Sequence, residues 1–407
     1  MKKLNILIIV SLILLSVISL AFASDHQPEK VRVYVQATTD DGNAALQALD
    51  VRNTFANGVV SVEMSSSAAE QLAENPHFEV LGQATQWTLS APPGACTPWP
   101  DCKGGNEDPE PETRTSFPGD QTPWGMEVVY NDPNLLVTNG GAGVTVAVLD
   151  TGANTNHLDL ANRVTQCRDF TKRRVKNTCN DDHGHGSHVA GTVSADGGSD
   201  GQGIYGVAPE ANLFIYKVCG AQFCWSDDVA AAIEYAADQG ANIVSMSLGG
   251  SSLATVERNA IDYAVANGVL VIAAAGNSGP NLDTIIYPGA YAPVVAVAAL
   301  DNTLAVTSWS SRGVDDNDLI IEEREVEIAL PGASVESTWN NGGYNTISGT
   351  SMATPHASGL AARNWQGSAA ATRAWLQARA LLTDITAGEH ATAGYDPASG
   401  LGLPTVE

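Results

Sequence analysis

Three short segments each place one reactive side chain where a strand ends or a helix begins. In Val148-Leu149-Asp150-Thr151-Gly152 a carboxylate closes an apolar run, where neighbouring backbone can hold it as a charge. An aspartate at such a place commonly serves only as a helix cap. In His185-Gly186-Ser187-His188-Val189-Ala190-Gly191-Thr192 glycine and small residues surround an imidazole, so a helix can pack closely while presenting it. His183, His185 and His188 could instead form a metal cluster, and His185 and His188 are spaced to share a helical face. No glutamate stands where the base of a metalloprotease would be needed, which argues against zinc. In Gly349-Thr350-Ser351-Met352-Ala353-Thr354-Pro355-His356 a serine opens an Ala- and Gly-rich helix that runs towards Asn364. Serine there is commonly an N-cap. The same position sets a nucleophilic oxygen at the positive end of a helix, which favours an anionic intermediate. The pattern is not GxSxG, so the nucleophile elbow of the α/β-hydrolases does not apply. A further segment, Ala273-Ala274-Ala275-Gly276-Asn277, ends an apolar run with an amide. That amide can donate to a developing oxyanion beside the Ser351 backbone N–H.

The order Asp, His, Ser along the chain is that of subtilisin, not of chymotrypsin or the α/β-hydrolases. From about Gln121 to Val406 the sequence resembles the subtilisin-like serine proteases. It departs from them mildly, with Ser187 where the family usually has Thr and Ala357-Ser358 where it often has Val-Ala. The resemblance implies acyl-enzyme catalysis. Ser351 would attack the peptide carbonyl, His185 would take its proton and return it to the leaving amine, Asp150 would orient His185, and Asn277 would bind the oxyanion. It also implies that Ser247-Leu248-Gly249-Gly250 is an extended edge that pairs with substrate backbone, as in β-augmentation, and so tolerates many side chains. Ala274, Ala275 and Gly276 would form another wall of the pocket. Ile286, before Tyr287-Pro288, falls at the pocket base; its branched side chain would favour small or medium apolar residues before the scissile bond. Asp159, in His157-Leu158-Asp159-Leu160, falls where the family places a calcium ligand. The partner loop from Ala195 to Gly203 is longer than usual and offers Asp196 and Asp200 as oxygen donors; a solvated acidic loop would read the same way. Residues 31–82 resemble the family's inhibitory propeptide, most clearly at Phe55-Ala56-Asn57-Gly58 and Ala69-Glu70-Gln71-Leu72-Ala73-Glu74-Asn75-Pro76. The chain's own propeptide would then be its inhibitory partner until self-cleavage, expected on one side or the other of a loop closed by Cys96 and Cys102, and in preference before it, between Thr88 and Ala95. A binding protein that kept the fold and lost activity, and a lipase-like hydrolase, are rival readings. The complete set of four residues counts against the first, and the absence of GxSxG against the second.

The elements that must carry these residues follow from patterning. Val144 to Leu149, Asn212 to Val218, Ile243 to Leu248, Val269 to Ala275 and Val294 to Ala299 are nearly continuous apolar runs, as in parallel strands covered on both faces. Between them Asp227 to Gln239 and Val256 to Asn267 read as helices, each followed by glycine. The expected fold class is therefore α/β, a mostly parallel sheet flanked by helices, preceded by a small α+β domain. In that domain Val31 to Val35 alternates like a strand, Ala44 to Phe55 reads as a helix, and Val59 to Met64 as a second strand. Ser65 to Ser67 offer caps for a helix from Ala68 to Glu74 that Pro76 stops, and His77 to Leu81 reads as a further strand.

Compartment and partners are bounded by composition. The 407 residues suffice for two domains plus processing segments. Met1-Lys2-Lys3, the apolar run from Ile6 to Leu20 and Ala21-Phe22-Ala23 match a cleavable export signal better than a membrane anchor. The expected division is signal 1–23, inhibitory domain 24–90, proline-rich linker 91–120 and catalytic domain 121–407. A formal net charge of −25 argues against nucleic acid and anionic membrane as partners. The mature protein is expected to be secreted and monomeric. The six cysteines fall in close pairs, Cys96 with Cys102, Cys167 with Cys179 and Cys219 with Cys224. Neighbour pairing costs least in loop closure, and an exported chain meets an oxidising environment.

Overall fold

The computed structural model describes residues 30–89, 118–199, 201–220, 223–314 and 318–407. The expected export signal, Cys96, Cys102, Asp200 and nearly all of the linker lie outside the described residues.

The N-terminal unit comprises β1 (Lys30–Ala37), α1 (Asp40–Leu46), β2 (Val51–Thr54), β3 (Val60–Ser65), α2 (Ser66–Ala73) and β4 (Phe78–Gln83). Its sheet is antiparallel in the order β2-β3-β1-β4. Val33, Val35, Val62, Leu72 and Phe78 are buried between the sheet and its helices. Ser65 caps α2 by accepting from the Ala68 N–H, one of the caps expected from sequence. The single helix expected from Ala44 to Phe55 is instead α1 followed by β2. Thr39 caps α1 earlier, accepting from Gly42 N–H at 3.0 Å. Val51 to Thr54 then pairs with β3, so tertiary pairing overrides a weak helical period and recruits the β-branched residues.

A two-residue strand, β5 (Gln86–Trp87), and α3 (Trp124–Tyr130) precede the main domain. There β6 (Thr145–Asp150), β7 (Val164–Asp169), α4 (His185–Ser194), β8 (Asn212–Lys217), β9 (Cys224–Trp225), α5 (Ser226–Asp238), β10 (Ile243–Met246), α6 (Thr255–Ala266), β11 (Leu270–Ala274), β12 (Val295–Leu300) and β13 (Ile328–Pro331) follow one another. The seven-stranded sheet has the order β13-β12-β11-β10-β6-β8-β7 and is parallel throughout. Hairpin β14 (Val335–Thr338) and β15 (Tyr344–Ile347), then α7 (Thr350–Arg363) and α8 (Ala369–Ala380), complete it.

The apolar runs are buried on both faces, as their composition demands. Val146 and Val148 of β6 face one core with Val189, Val193, Met352 and Leu360 from α4 and α7. Ala147 and Leu149 face the other with Val229, Ile233, Ile261 and Ala264 from α5 and α6. The N-terminal unit closes onto that second side, where Tyr34, Phe55, Val59 and Trp87 join the same core. Cys167 bonds Cys179 and Cys219 bonds Cys224, both neighbour pairings. Among the described residues no helix is long and apolar enough to cross a membrane.

Candidate active site

Asp150 closes β6, Ser247 follows β10, and Asn277 follows β11, so all three stand at the C-terminal edge of the sheet. Ligands in open parallel sheets are bound at this edge. Helix α4 brings His185 to it. Gly186 allows the approach, because a Cβ there would lie 2.1 Å from the Gly152 carbonyl oxygen. His185 Nδ1 lies 2.8 Å from Asp150 Oδ1 and 3.0 Å from Oδ2. That geometry places the ring proton on Nδ1 and leaves Nε2 as the basic nitrogen. The Thr151 N–H donates to Asp150 Oδ1 at 2.7 Å and helps fix the carboxylate's orientation towards the imidazole.

Helix α7 supplies Ser351 in its first turn, and α4 packs against α7. Ser351 Oγ donates to the Ser247 carbonyl at 3.1 Å, and Ser247 Oγ donates to the Ser351 carbonyl at 2.8 Å. Asn277 Oδ1 accepts from both the N–H and the hydroxyl of Thr350, at 2.9 and 3.0 Å. Its carbonyl end is thereby fixed, which orients the amide NH2 as the donating end. Asp150, His185 and Ser351 are fully buried in the chain.

The expected substrate edge is occupied by the chain itself. Thr88 and Gly249 exchange both backbone hydrogen bonds, at 2.9 and 3.1 Å, in an antiparallel pair. On the other side Gln86 and Trp87 of β5 pair with Trp225 and Cys224 of β9. Residues 86–88 therefore form the middle strand between two edges. Trp87 lies over Gly250, where a Cβ would come within 2.5 Å of the indole. Leu248, Ala274 and Ala275 are buried behind these glycines. Ile286 lies between the two walls, since Cβ atoms added at Gly249 and Gly276 would sit 2.8 and 3.1 Å from it.

Two residues that the sequence did not single out hold the arrangement together. Asp181 accepts through Oδ1 from the Thr151 hydroxyl and the His183 and Gly184 N–H groups. Through Oδ2 it accepts from the Ser187 N–H and hydroxyl. It thus caps α4 and ties that helix to the segment that carries Asp150. The other is Thr350. The only sequence signal for Asp181 was an acidic residue shortly before a helix, a common cap pattern.

His183, His185 and His188 form no metal cluster. Among the described residues no group of three or more potential ligands is gathered. Burial lowers the His188 pKa to about 3, and its Nε2 bonds the Val335 carbonyl at 2.9 Å. Asp159 is a different case. Its Oδ2 accepts from the Ile204 N–H at 2.8 Å and the Tyr344 hydroxyl at 2.9 Å, while Oδ1 is buried without a hydrogen-bond partner. Oδ1 faces Gly203, and Gln121 Nε2 donates to the carbonyls of Gly201 and Gly203 nearby. An orphaned carboxylate oxygen beside loop carbonyls fits a calcium ion. Asp196 fits less well, because its Oδ2 is engaged by Arg163 at 3.1 Å.

Chemically, a buried Asp–His pair, a helix-start serine and a fixed amide at one sheet edge suit nucleophilic acyl transfer. Comparison with known proteins agrees. The model of the subtilase family matches residues 141–402. A subtilisin of Bacillus sp. (strain TA39) is 50% identical over 305 residues, 70% of this chain and 72% of that protein. The major intracellular serine protease of Bacillus subtilis (strain 168) is 37% identical, over 60% of this chain and 74% of its own length. Among solved structures, Sphericase matches with a TM-score of 0.70 and 51% identity, covering 71% of this chain and 99% of that one. A structure titled S41 Psychrophilic Protease matches with a TM-score of 0.69 and 50% identity over 71% and 99%. The chain belongs to the subtilase family. It is a serine endopeptidase with the subtilisin-like α/β fold.

Proposed function

We propose that the protein is a secreted endopeptidase made as a zymogen, with Ser351 as nucleophile, His185 as general base and acid, Asp150 as its orienting carboxylate and Asn277 as oxyanion donor. Residues 30–89 act as its inhibitory propeptide. The observation that carries this reading is the antiparallel pairing of Thr88 with Gly249. By sequence, Ser90 stands two residues after Thr88 and Ser247 two before Gly249, and the Ser247 carbonyl oxygen is 3.1 Å from Ser351 Oγ. The chain therefore cuts itself after Ser90, within the window expected from sequence. A small residue at that position also suits a pocket narrowed by Ile286. Attack by Ser351 Oγ on the Ser90 carbonyl releases the Ala91 amine, protonated by His185, and water then frees the acyl-enzyme. Backbone pairing along Gly249 gives broad specificity, with small or medium apolar residues preferred before the cut.

The test is expression of the full chain, with and without Ser351→Ala, in a protease-free host. The active form is expected to begin at Ala91 and to digest casein chiefly after small and medium apolar residues. The Ser351→Ala chain is expected to stay uncut after signal removal. Its maturation, or an active form that begins after Lys103, would overturn the assignment; fragments dominated by cuts after Phe and Tyr would overturn the pocket reading.

Calcium is proposed at Asp159, where it would pin the Ala195 to Gly203 loop to the main domain. Chelation by EGTA should lower the thermal midpoint of the Ser351→Ala chain and leave that of its Asp159→Asn derivative unmoved. Equal shifts in both would remove Asp159 from the site.

A further inference from the structure

Both halves of this precursor are acidic. Residues 30–89 carry Lys30, Arg32 and Arg52 as their only lysine and arginine side chains, against seven carboxylates. Two acidic bodies repel at distance, so their contact must be specified locally. All three cations of the N-terminal unit lie on one patch. Lys30 and Arg52 bond Glu63 of β3 at 3.2 and 3.3 Å, and Arg32 Nε lies 3.7 Å from it. Glu63 thus holds the two guanidinium groups facing α5.

The first turn of α5 meets them with Asp227 and Asp228. Arg32 Nη1 reaches Asp227 Oδ1 at 2.7 Å and Asp228 Oδ2 at 2.9 Å. Its guanidinium lies 4.4 Å from the centroid of the Trp225 ring. Arg52 Nη2 touches Asp228 Oδ1 at 3.4 Å, from the rim. Ser61 Oγ and Asn53 Nδ2 complete the shell of Asp227, at 2.8 and 3.1 Å. Both aspartates are buried, and every one of these donors comes from β1, β2 or β3.

We propose that Asp227 and Asp228 form a guanidinium receptor that selects the chain's own N-terminal unit through Arg32, with Arg52 at the rim. A buried ion pair adds little net stability compared with a well-packed apolar contact, but a partner that leaves it half filled is strongly rejected. The receptor therefore acts on choice of partner. A polypeptide without a suitably placed arginine would bury two unpaired carboxylates on docking. That this contact also sets latency rests on the reading of residues 30–89 as the inhibitory unit.

Two readouts keep the claims apart. In the uncut Ser351→Ala chain, hydrogen exchange is followed at the Ala56 and Thr85 amides, which bond Glu234 and Ser226 across the contact. In the chain with Ser351 intact, the lag before activity is timed. Arg32→Met should speed exchange at both amides by about tenfold or more, with little change at amides of β12. Asp228→Asn should act in the same direction, and the two together should do little more than one alone. Arg32→Lys, which keeps the charge and loses the fork, should fall between. If Arg32→Met does not fold, Arg52→Met gives the same comparison at smaller amplitude. Unchanged exchange in these variants, or effects that simply multiply, overturns the receptor. Faster exchange with an unchanged lag upholds the receptor and sinks the inhibitory reading instead.

Discussion

Asn277 is the residue at which geometry makes the sharpest kinetic claim. With its carbonyl fixed by Thr350, only its NH2 end can serve charge that develops on the substrate. Asn277→Ala should therefore lower kcat by about 10²–10³ and leave KM nearly unchanged. Steady-state kinetics on a peptide amide decide it, and a large rise in KM with intact kcat would contradict the role. Asp150, His185, Ser351 and Asn277 were legible because each sits in a compact local pattern of strand end, small residues and helix start. Thr350 and Asp181 were not, because what they do depends on groups distant in the chain. Asp181 is defined by Thr151, thirty positions earlier, and Thr350 by an amide on another strand. Single-sequence pattern carries no register for such meetings.

At the scale of elements, α4 and α7 each bury an imidazole that takes no direct part in the chemistry. Burial lowers the pKa of His188 to about 3 and that of His356 to about 4. His356 Nδ1 bonds the Met352 carbonyl at 2.7 Å, and its ring lies against Gly125 of α3. In the native state both rings stay neutral. Below the ordinary imidazole value, near 6.5, the unfolded chain binds protons that the folded chain refuses. The stability these rings contribute is thus fully present above about pH 6.5 and is lost as pH falls towards 4 and then 3, by up to about 1.4 kcal/mol per pH unit for each ring. Denaturant midpoints of the Ser351→Ala chain between pH 7.5 and 4.5 measure this. His356→Gln should flatten the acid limb relative to the parent, and identical slopes would refute the assignment. The buried strands β6, β8, β10, β11 and β12 were legible as apolar runs. Partly exposed β7 lacks such a run, and β2 was absorbed into a helical reading because only pairing with β3 makes it a strand.

Taken as a whole, the molecule joins two sheets of opposite character. The N-terminal one is antiparallel and closed by short connections. The other is parallel, and its interior strand β6 finds the central strand β10 only across a long stretch of chain, with Val146 opposite Ile243. Non-local pairing of this kind is slow to form, because loop-closure entropy is lost before contacts repay it. The small sheet rests on α5 and α6, the two helices on one face of the large one, and can hold them in place while the strands assemble. On the proposed reading, self-cleavage would then discard that support. Folding would then be an event the chain completes once, and the mature enzyme would persist because its escape is slow, not because it can find its way back. The uncut Ser351→Ala chain should regain its native spectrum after dilution from denaturant. The mature protein, inhibited and denatured in the same way, should stay trapped as a compact, inactive form until residues 30–89 are supplied. Spontaneous recovery of the mature protein at the rate of the uncut chain would show that the small sheet leaves no such imprint.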